Sequence, residues 1–285
     1  MCLMEVAPAY RALVPEGATL HQGQFHQVVI GEDRVICLPR TEAAAARLPG
    51  RAALLRVLAG LDLGVDVPRP LREQAVGEPP YLILSRVPGA PLEAGVLTDP
   101  QVAEVVAGQY AGLLAGLAAA GERARAVLPV PRGRWGRFAA EVRAELYGLM
   151  SEAGRRRAER ELAALDGLPD GGTAVVHGDL GPENVLWEYD GGMPRLSGVI
   201  DWDEVTIGDP AEDLAAIAAG HGQALLNRVI ELGGLANGGL AARITTIRRT
   251  FALQQALAAH RDGDQDELAD GLAGYVTPQA DRAGG

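Results

Sequence analysis

Apolar and polar positions recur at two different periods along this chain, and the change of period divides it. Between residues 19 and 86 the apolar runs are short. Leu20–Phe25 and Gln27–Ile30 are strand candidates, and Gly31-Glu32-Asp33 turns the second into Val35–Leu38, whose β-branched and apolar side chains suit a half-buried pleated strand. Thr41 reads as an N-cap for the alanine-rich run Glu42–Leu48; Pro49-Gly50 interrupts that run, and leucines at helical spacing resume over Arg51–Ala59. Pro68 and Pro70 precede another extended stretch, and Tyr81-Leu82-Ile83-Leu84 is a compact apolar strand.

Pro88, Gly89 and Pro91 then make a stiff, non-helical crossing, after which the period becomes helical. Residues 101–119 and 134–166 read as long helices. In the second, Trp135, Phe138, Val142, Leu146 and Leu149 form one buried stripe, and Arg155, Arg156, Arg157 and Arg160 a solvated face. Thr173–Val176 is a strand, and Val185–Glu188 pairs with Leu196–Ile200 as a hairpin across Asp190-Gly191-Gly192. A helical block runs from Ala211 to about Tyr275, and the last ten residues read as frayed. The expected architecture is α+β and two-lobed, with a small β-rich lobe over residues 1–86 and a larger, mostly helical lobe over residues 87–285.

Composition excludes several classes. With 285 residues, 48% apolar and 22% charged, the chain is an ordinary globular protein, and its net charge of −11 opposes nucleic-acid and anionic-membrane partners while favouring a cationic ligand. Cys2 and Cys37 build no disulfide framework, the first ten residues lack the basic start of a secretory signal, and no uninterrupted apolar run approaches the ~20 residues of a membrane span. The expected location is the cytoplasm. All 26 strongly basic side chains are arginine; the chain contains no lysine.

The chemistry concentrates in His177-Gly178-Asp179-Leu180-Gly181-Pro182-Glu183-Asn184 and Val199-Ile200-Asp201-Trp202-Asp203. A strand delivers Asp179, Asn184 follows one tight excursion later, and the hairpin returns Asp201 beside Asn184. Kinase-type phosphoryl transfer needs this trio: a carboxylate to accept a hydroxyl proton, and an amide and a carboxylate to hold Mg²⁺ against a nucleoside triphosphate. Asp209 and Asp213 flank a helix start and read as caps that hold the loop; His177 reads as a strut. No G-x-x-x-x-G-K-[ST], G-x-S-x-G or H-E-x-x-H occurs, which excludes a P-loop kinase, a nucleophile-elbow hydrolase and a zincin.

The segments V-V-H-G-D-L-G-P-E-N-V-L-W and G-V-I-D-W-D-E-V-T-I-G-D-P-A-E-D-L-A resemble the two signatures of the aminoglycoside phosphotransferase family. H-Q-G-Q-F-H-Q-V-V-I-G, L-P-G-R-A, L-S-R-V-P-G-A-P-L-E and T-F-A-L-Q-Q-A-L extend the similarity over most of the chain, toward the branch acting on tuberactinomycin peptides such as viomycin and capreomycin. The resemblance implies a protein-kinase-like fold and a phosphotransferase that uses ATP or GTP with Mg²⁺ to phosphorylate a hydroxyl of a basic cyclic peptide antibiotic. It makes Asp179 the catalytic base and gives Asn184 and Asp201 the metal. Gln24, Phe25 and His26 would lie over the phosphates, and the backbone of Ser85 and Val87 would meet the purine.

One departure stands out. Family members often carry a basic residue on the third strand, paired to a Glu on the following helix; here Cys37 and Ala52 fall at those positions, and His21–His26 holds a single glycine where a phosphate loop usually has two. With no lysine, an arginine or the metal must supply the charge, and Arg40 is the nearest candidate in sequence. On the acceptor side, nine carboxylates lie between Glu183 and Asp213 against one arginine, Arg195; Asp203 and Glu204 are the candidates there. Asp262 and Asp264 belong to a second acidic cluster that serves the same ligand if it faces the same cleft. Two other readings stay open: an amino-alcohol, sugar or aminoglycoside kinase of the same fold, and a catalytically dead pseudokinase that only binds.

Overall fold

Thr19–Gln22 (β1), His26–Ile30 (β2), Arg34–Pro39 (β3), Pro70–Glu73 (β4) and Leu82–Ser85 (β5) form one antiparallel sheet in the order β1-β2-β3-β5-β4. The structure, a computed structural model, describes residues 7–23, 26–75 and 77–276, so Gln24, Phe25 and the expected fraying of residues 277–285 lie outside the described residues. Side chains alternate across the sheet. Val29, Ile36, Leu38, Tyr81 and Ile83 pack beneath Tyr10 and Leu13, whereas Cys37, Leu82 and Leu84 face the helix Glu42–Gly60 (α1).

That helix differs from the expectation. Thr41 caps it as expected, its Oγ1 accepting the Ala44 amide at 3.1 Å, but Pro49-Gly50 does not interrupt it. Leu48, Ala52, Leu55 and Leu58 are buried along one face against the sheet, and their burial holds the helix through a proline that local propensity would use as a stop.

The larger lobe is built on Pro100–Ala124 (α2), capped by Asp99. By length and composition alone α2 is apolar enough to cross a membrane. Here Val106, Tyr110, Leu113, Leu117 and Ala120 are buried in the main core, the position of a central helix. The stretch expected as one helix over 134–166 is broken into Arg134–Glu145 (α3), a single 3-10 turn and Glu152–Ala164 (α4). Ser151 recaps the chain by accepting the Gly154 amide, and a Cβ on Gly154 would sit 1.8 Å from the Tyr275 carbonyl, so packing on the last helix fixes where α4 begins. Leu149 is accordingly exposed rather than part of the buried stripe. The arginines of α4 stay at the surface, with Arg156 on Glu152 and Arg157 on Glu161.

Ala174–Val176 (β6) enters the site, and Val185–Asp190 (β7) pairs with Met193–Val199 (β8) as the expected hairpin. Its turn residues Gly191 and Gly192 both have positive φ, 57° and 84°, the backbone a tight two-residue hairpin requires. Thr206–Gly208 (β9), not anticipated, pairs antiparallel with β6. Ala211–His221 (α5), Gln223–Leu232 (α6), Leu240–Arg249 (α7), Phe251–Asp262 (α8) and Gln265–Val276 (α9) follow. One core cluster runs from Cys37 and Leu58 through Leu114 to Val199 and Ile247, so the face of α1 and the hairpin share an interior.

Candidate active site

Strand β6 delivers His177, which follows its last residue, is fully buried and fixes the loop beyond it. The His177 Nε2 lies 2.9 Å from the Ile200 carbonyl and Nδ1 accepts the Asp179 amide at 3.2 Å, which sets the tautomer with the proton on Nε2; the ring packs on Trp202. From α5, the buried Asp213 accepts the amides of His177 and Gly178, each at 3.0 Å. Gly178 has φ of 88°, and a Cβ there would meet the Glu204 carbonyl at 2.8 Å, so only glycine allows this approach. Asp209 caps α5 through the Ala211 amide and is tied by Arg243.

The strut brings the sequence-predicted trio together. The buried Asn184 donates from Nδ2 to the Asp179 carbonyl at 2.8 Å and to Asp179 Oδ2 at 3.1 Å, while its own backbone carbonyl accepts the Ile200 amide at 2.9 Å. With its NH₂ so engaged, the Asn184 Oδ1 accepts nothing from the described residues. Asp201, next to Ile200, has φ of 62°, the positive-φ residue other than glycine among those described. Burial is the main cause that raises the Asp179 pKa above the ordinary carboxylate value. The charges of Glu183 and Asp201 add to it, Asn184 opposes it, and Glu204 adds a smaller push. Four carboxylates thus lie within electrostatic reach of one another.

Asn184 Oδ1 and the half-exposed Asp201 carboxylate are two oxygen donors on one side. No cluster of three or more His, Cys, Asp or Glu side chains that could enclose a metal occurs among the described residues. Such a pair fits Mg²⁺, which keeps its waters and completes its shell with phosphate oxygens, better than a metal that needs a full protein cage.

The chain matches the model of the phosphotransferase enzyme family over residues 19–244. It belongs to that family. The phosphotransferase is 66% identical over 265 residues to viomycin phosphotransferase of Streptomyces vinaceus, an alignment covering 91% of this chain and 92% of the relative. Its fold is that of the GDP complex of wild-type aminoglycoside 2'-phosphotransferase-IIIa (TM-score 0.77, 19% identity, 96% and 97% of the two chains). It is also shared with macrolide 2'-phosphotransferase type I (TM-score 0.72, 23% identity, 97% of each). The two-lobed, kinase-like α+β fold expected from the sequence is thereby shown.

The remaining expected positions are distributed as follows. His26 is buried at the start of β2; Arg40 donates to the Gly23 carbonyl at 3.0 Å, at the turn before it. The Ser85 amide and Oγ are both taken up by Arg69, whereas the Val87 amide has no partner among the described residues. Asp203 does not reach outward alone: its Oδ1 lies 3.1 Å from Arg51 Nε. Asp264 caps α9 through the Glu267 amide, and Asp262 ends α8.

One residue was missed. Arg51, on α1, has a side chain only 17% exposed and reaches across the cleft, its Nη2 3.2 Å from Asp201 Oδ1. The family resemblance puts the helix acid at Ala52, one residue on, and Ala52 is fully buried against the sheet. One residue is about 100° of helix rotation, enough to aim Arg51 at the cleft. The missing lysine and the adjacent arginine were the available signal.

Proposed function

We propose that this phosphotransferase moves the terminal phosphoryl group of ATP or GTP to a hydroxyl of a strongly basic cyclic peptide antibiotic of the viomycin and capreomycin type. The observation that carries the reading is Asp179 hydrogen-bonded to Asn184 and surrounded by Glu183, Asp201 and Glu204, in a chain two-thirds identical to a viomycin phosphotransferase. Residues 1–86 serve as the nucleotide lobe and residues 87–285 as the catalytic and acceptor lobe. The unpartnered Val87 amide and the Ser85 carbonyl are suited to the purine edge, and His26 to the phosphates.

Asp179 is the base. Its carboxylate orients the acceptor hydroxyl and takes its proton as the oxygen attacks the terminal phosphorus; the nucleoside diphosphate leaves with the bridging oxygen. His177 and Asp213 hold the loop so that Asp179 does not swing. Asn184 and Asp201 would hold Mg²⁺, which neutralises charge on the phosphates. Glu183 and Glu204 attract ammonium or guanidinium groups of the acceptor, and their charge keeps Asp179 a stronger base than an isolated carboxylate. Asp203, engaged by Arg51, is better placed to serve the phosphate side, and Asp262 and Asp264 would act on the acceptor through the charge of their own acidic cluster.

Turnover of ATP and GTP measured with viomycin, capreomycin, kanamycin or no acceptor tests the reading. The two cyclic peptides should gain one phosphoryl group by mass. Transfer to kanamycin alone, or none to any acceptor, sinks it. Asp179→Ala should lower kcat by about 10²–10⁴-fold while leaving nucleotide affinity nearly intact; near-normal turnover would remove Asp179 as the base.

A further inference from the structure

The small lobe presents a charge problem. Strand β3 offers the neutral, buried Cys37 where a cation would neutralise phosphates. Burial pushes its thiol pKa up, and the opposing pull of the nearby Arg51 charge does not win. Arg51 is therefore a guanidinium held against the same sheet face from the opposite side, on α1 rather than on β3.

Its bonding is incomplete. Nη2 meets Asp201 Oδ1 at 3.2 Å; Nε is buried and near Asp203 Oδ1 at 3.1 Å but off the line of a hydrogen bond; Nη1 has no partner among the described residues. A guanidinium carries five donors in a planar fork, so this one has donors to spare, facing the cleft. Beside it lies His26, only 8% exposed, whose Nε2 also has no partner among the described residues and whose ring senses the charges of both Arg51 and Asp201. Unsatisfied buried donors are costly and rare in a native protein. Two side chains leaving buried nitrogens idle at one place, one of them a guanidinium that can only donate, mark a site for an oxygen-rich anion.

We propose that Arg51 is the cation that receives the nucleotide's phosphates, with His26 as a neutral donor beside it, and that its hold on Asp201 and Asp203 is the nucleotide-free arrangement of this fork. This rests on the nucleotide-dependent reading above. The positive charge has moved from strand to helix: with arginine on α1, an acid at Ala52 has no purpose and a lysine at position 37 would repel. The same pairing gives Arg51 a second role. It neutralises two carboxylates until metal and triphosphate arrive together, and then shares its donors with the phosphates. Arg40, bonded to the Gly23 carbonyl, and Arg47, four residues before Arg51 on α1, are the competing cations.

Calorimetric titration with non-hydrolysable ATP and GTP analogues, and separately with adenosine and guanosine, tests this without turnover. Arg51→Ala should weaken the preferred triphosphate about 10- to 100-fold, the loss of one or two charge-assisted hydrogen bonds, with the nucleoside changed less than about twofold. Arg51→Lys should recover part of the loss. The double variant Cys37→Lys with Arg51→Glu, which returns the charge to the strand, should bind the triphosphate better than Arg51→Glu alone. Triphosphate affinity unchanged in Arg51→Ala, an equal loss for nucleoside and triphosphate, or a loss seen in Arg40→Ala or Arg47→Ala instead, overturns the proposal. Wild-type protein that binds neither triphosphate would refute the nucleotide-dependent reading itself.

Discussion

His177 shows how one side chain holds a reactive loop by hydrogen bonding alone. Burial keeps the imidazole neutral, its pKa lowered to about 4, and the bond to Ile200 opposes that shift without reversing it. The unfolded chain takes the proton first. The stability contributed by His177 is therefore complete above its ordinary pKa of 6.5 and is lost as pH falls from there toward 4. His26, lowered to about 4 mainly by burial, adds the same slope. Asp213 and Glu212, raised by burial to about 6 and about 7, work the other way: the folded chain takes their protons first, so their contribution is present at low pH and lost as pH rises through those values. His177→Gln should lower Tm at neutral pH, and the gap from wild type should narrow as pH falls from 6.5 to 4. A gap that stays constant would mean that this imidazole is not held neutral.

Among elements, α1 tests how far packing overrides propensity. Pro49 removes one backbone hydrogen bond and crowds the Ala45 carbonyl, and Gly50 costs backbone entropy, yet both sit exposed in an unbroken helix with Leu48 and Ala52 buried on either side. A Cβ on Gly50 meets nothing within 4 Å. Pro49→Ala should stabilise the protein by about 1–3 kcal/mol and Gly50→Ala by about 0.5–1 kcal/mol in chemical denaturation. Loss of stability in Pro49→Ala would show instead that the path of α1 depends on the proline. The break between α3 and α4 teaches the converse. A stripe at helical spacing ran unbroken through Leu149, but the interruption is set by close contact with Tyr275, more than a hundred residues away. No window of sequence contains that contact.

For the molecule as a whole, charge is the property that acts at a distance. On the proposed function, the net −11 and the carboxylates around Asp179 would draw in a polycation before any contact forms. Raising ionic strength from low salt to where the Debye length is about 8 Å should increase KM for viomycin or capreomycin several-fold and leave kcat nearly unchanged. Glu183→Gln with Glu204→Gln should flatten that dependence. A KM indifferent to salt would indicate that the acceptor is recognised by shape rather than by field.

The sequence by itself determined the sheet strands, the β7–β8 hairpin and the positions of Asp179, Asn184 and Asp201, because each follows from short-range rules: alternation, turn glycines, and the fixed spacing that a loop and a hairpin impose. What tertiary structure alone decided are contacts between residues remote along the chain. β9 pairs with β6, Asp213 braces His177 from 36 residues away, and Arg51 meets Asp201 across 150. Periodicity states which face of a helix is buried, but not which residue at its rim turns into the cleft. That depends on how α1 is rotated over the sheet, which the burial of Leu48, Ala52, Leu55 and Leu58 fixes only once the lobes have packed together.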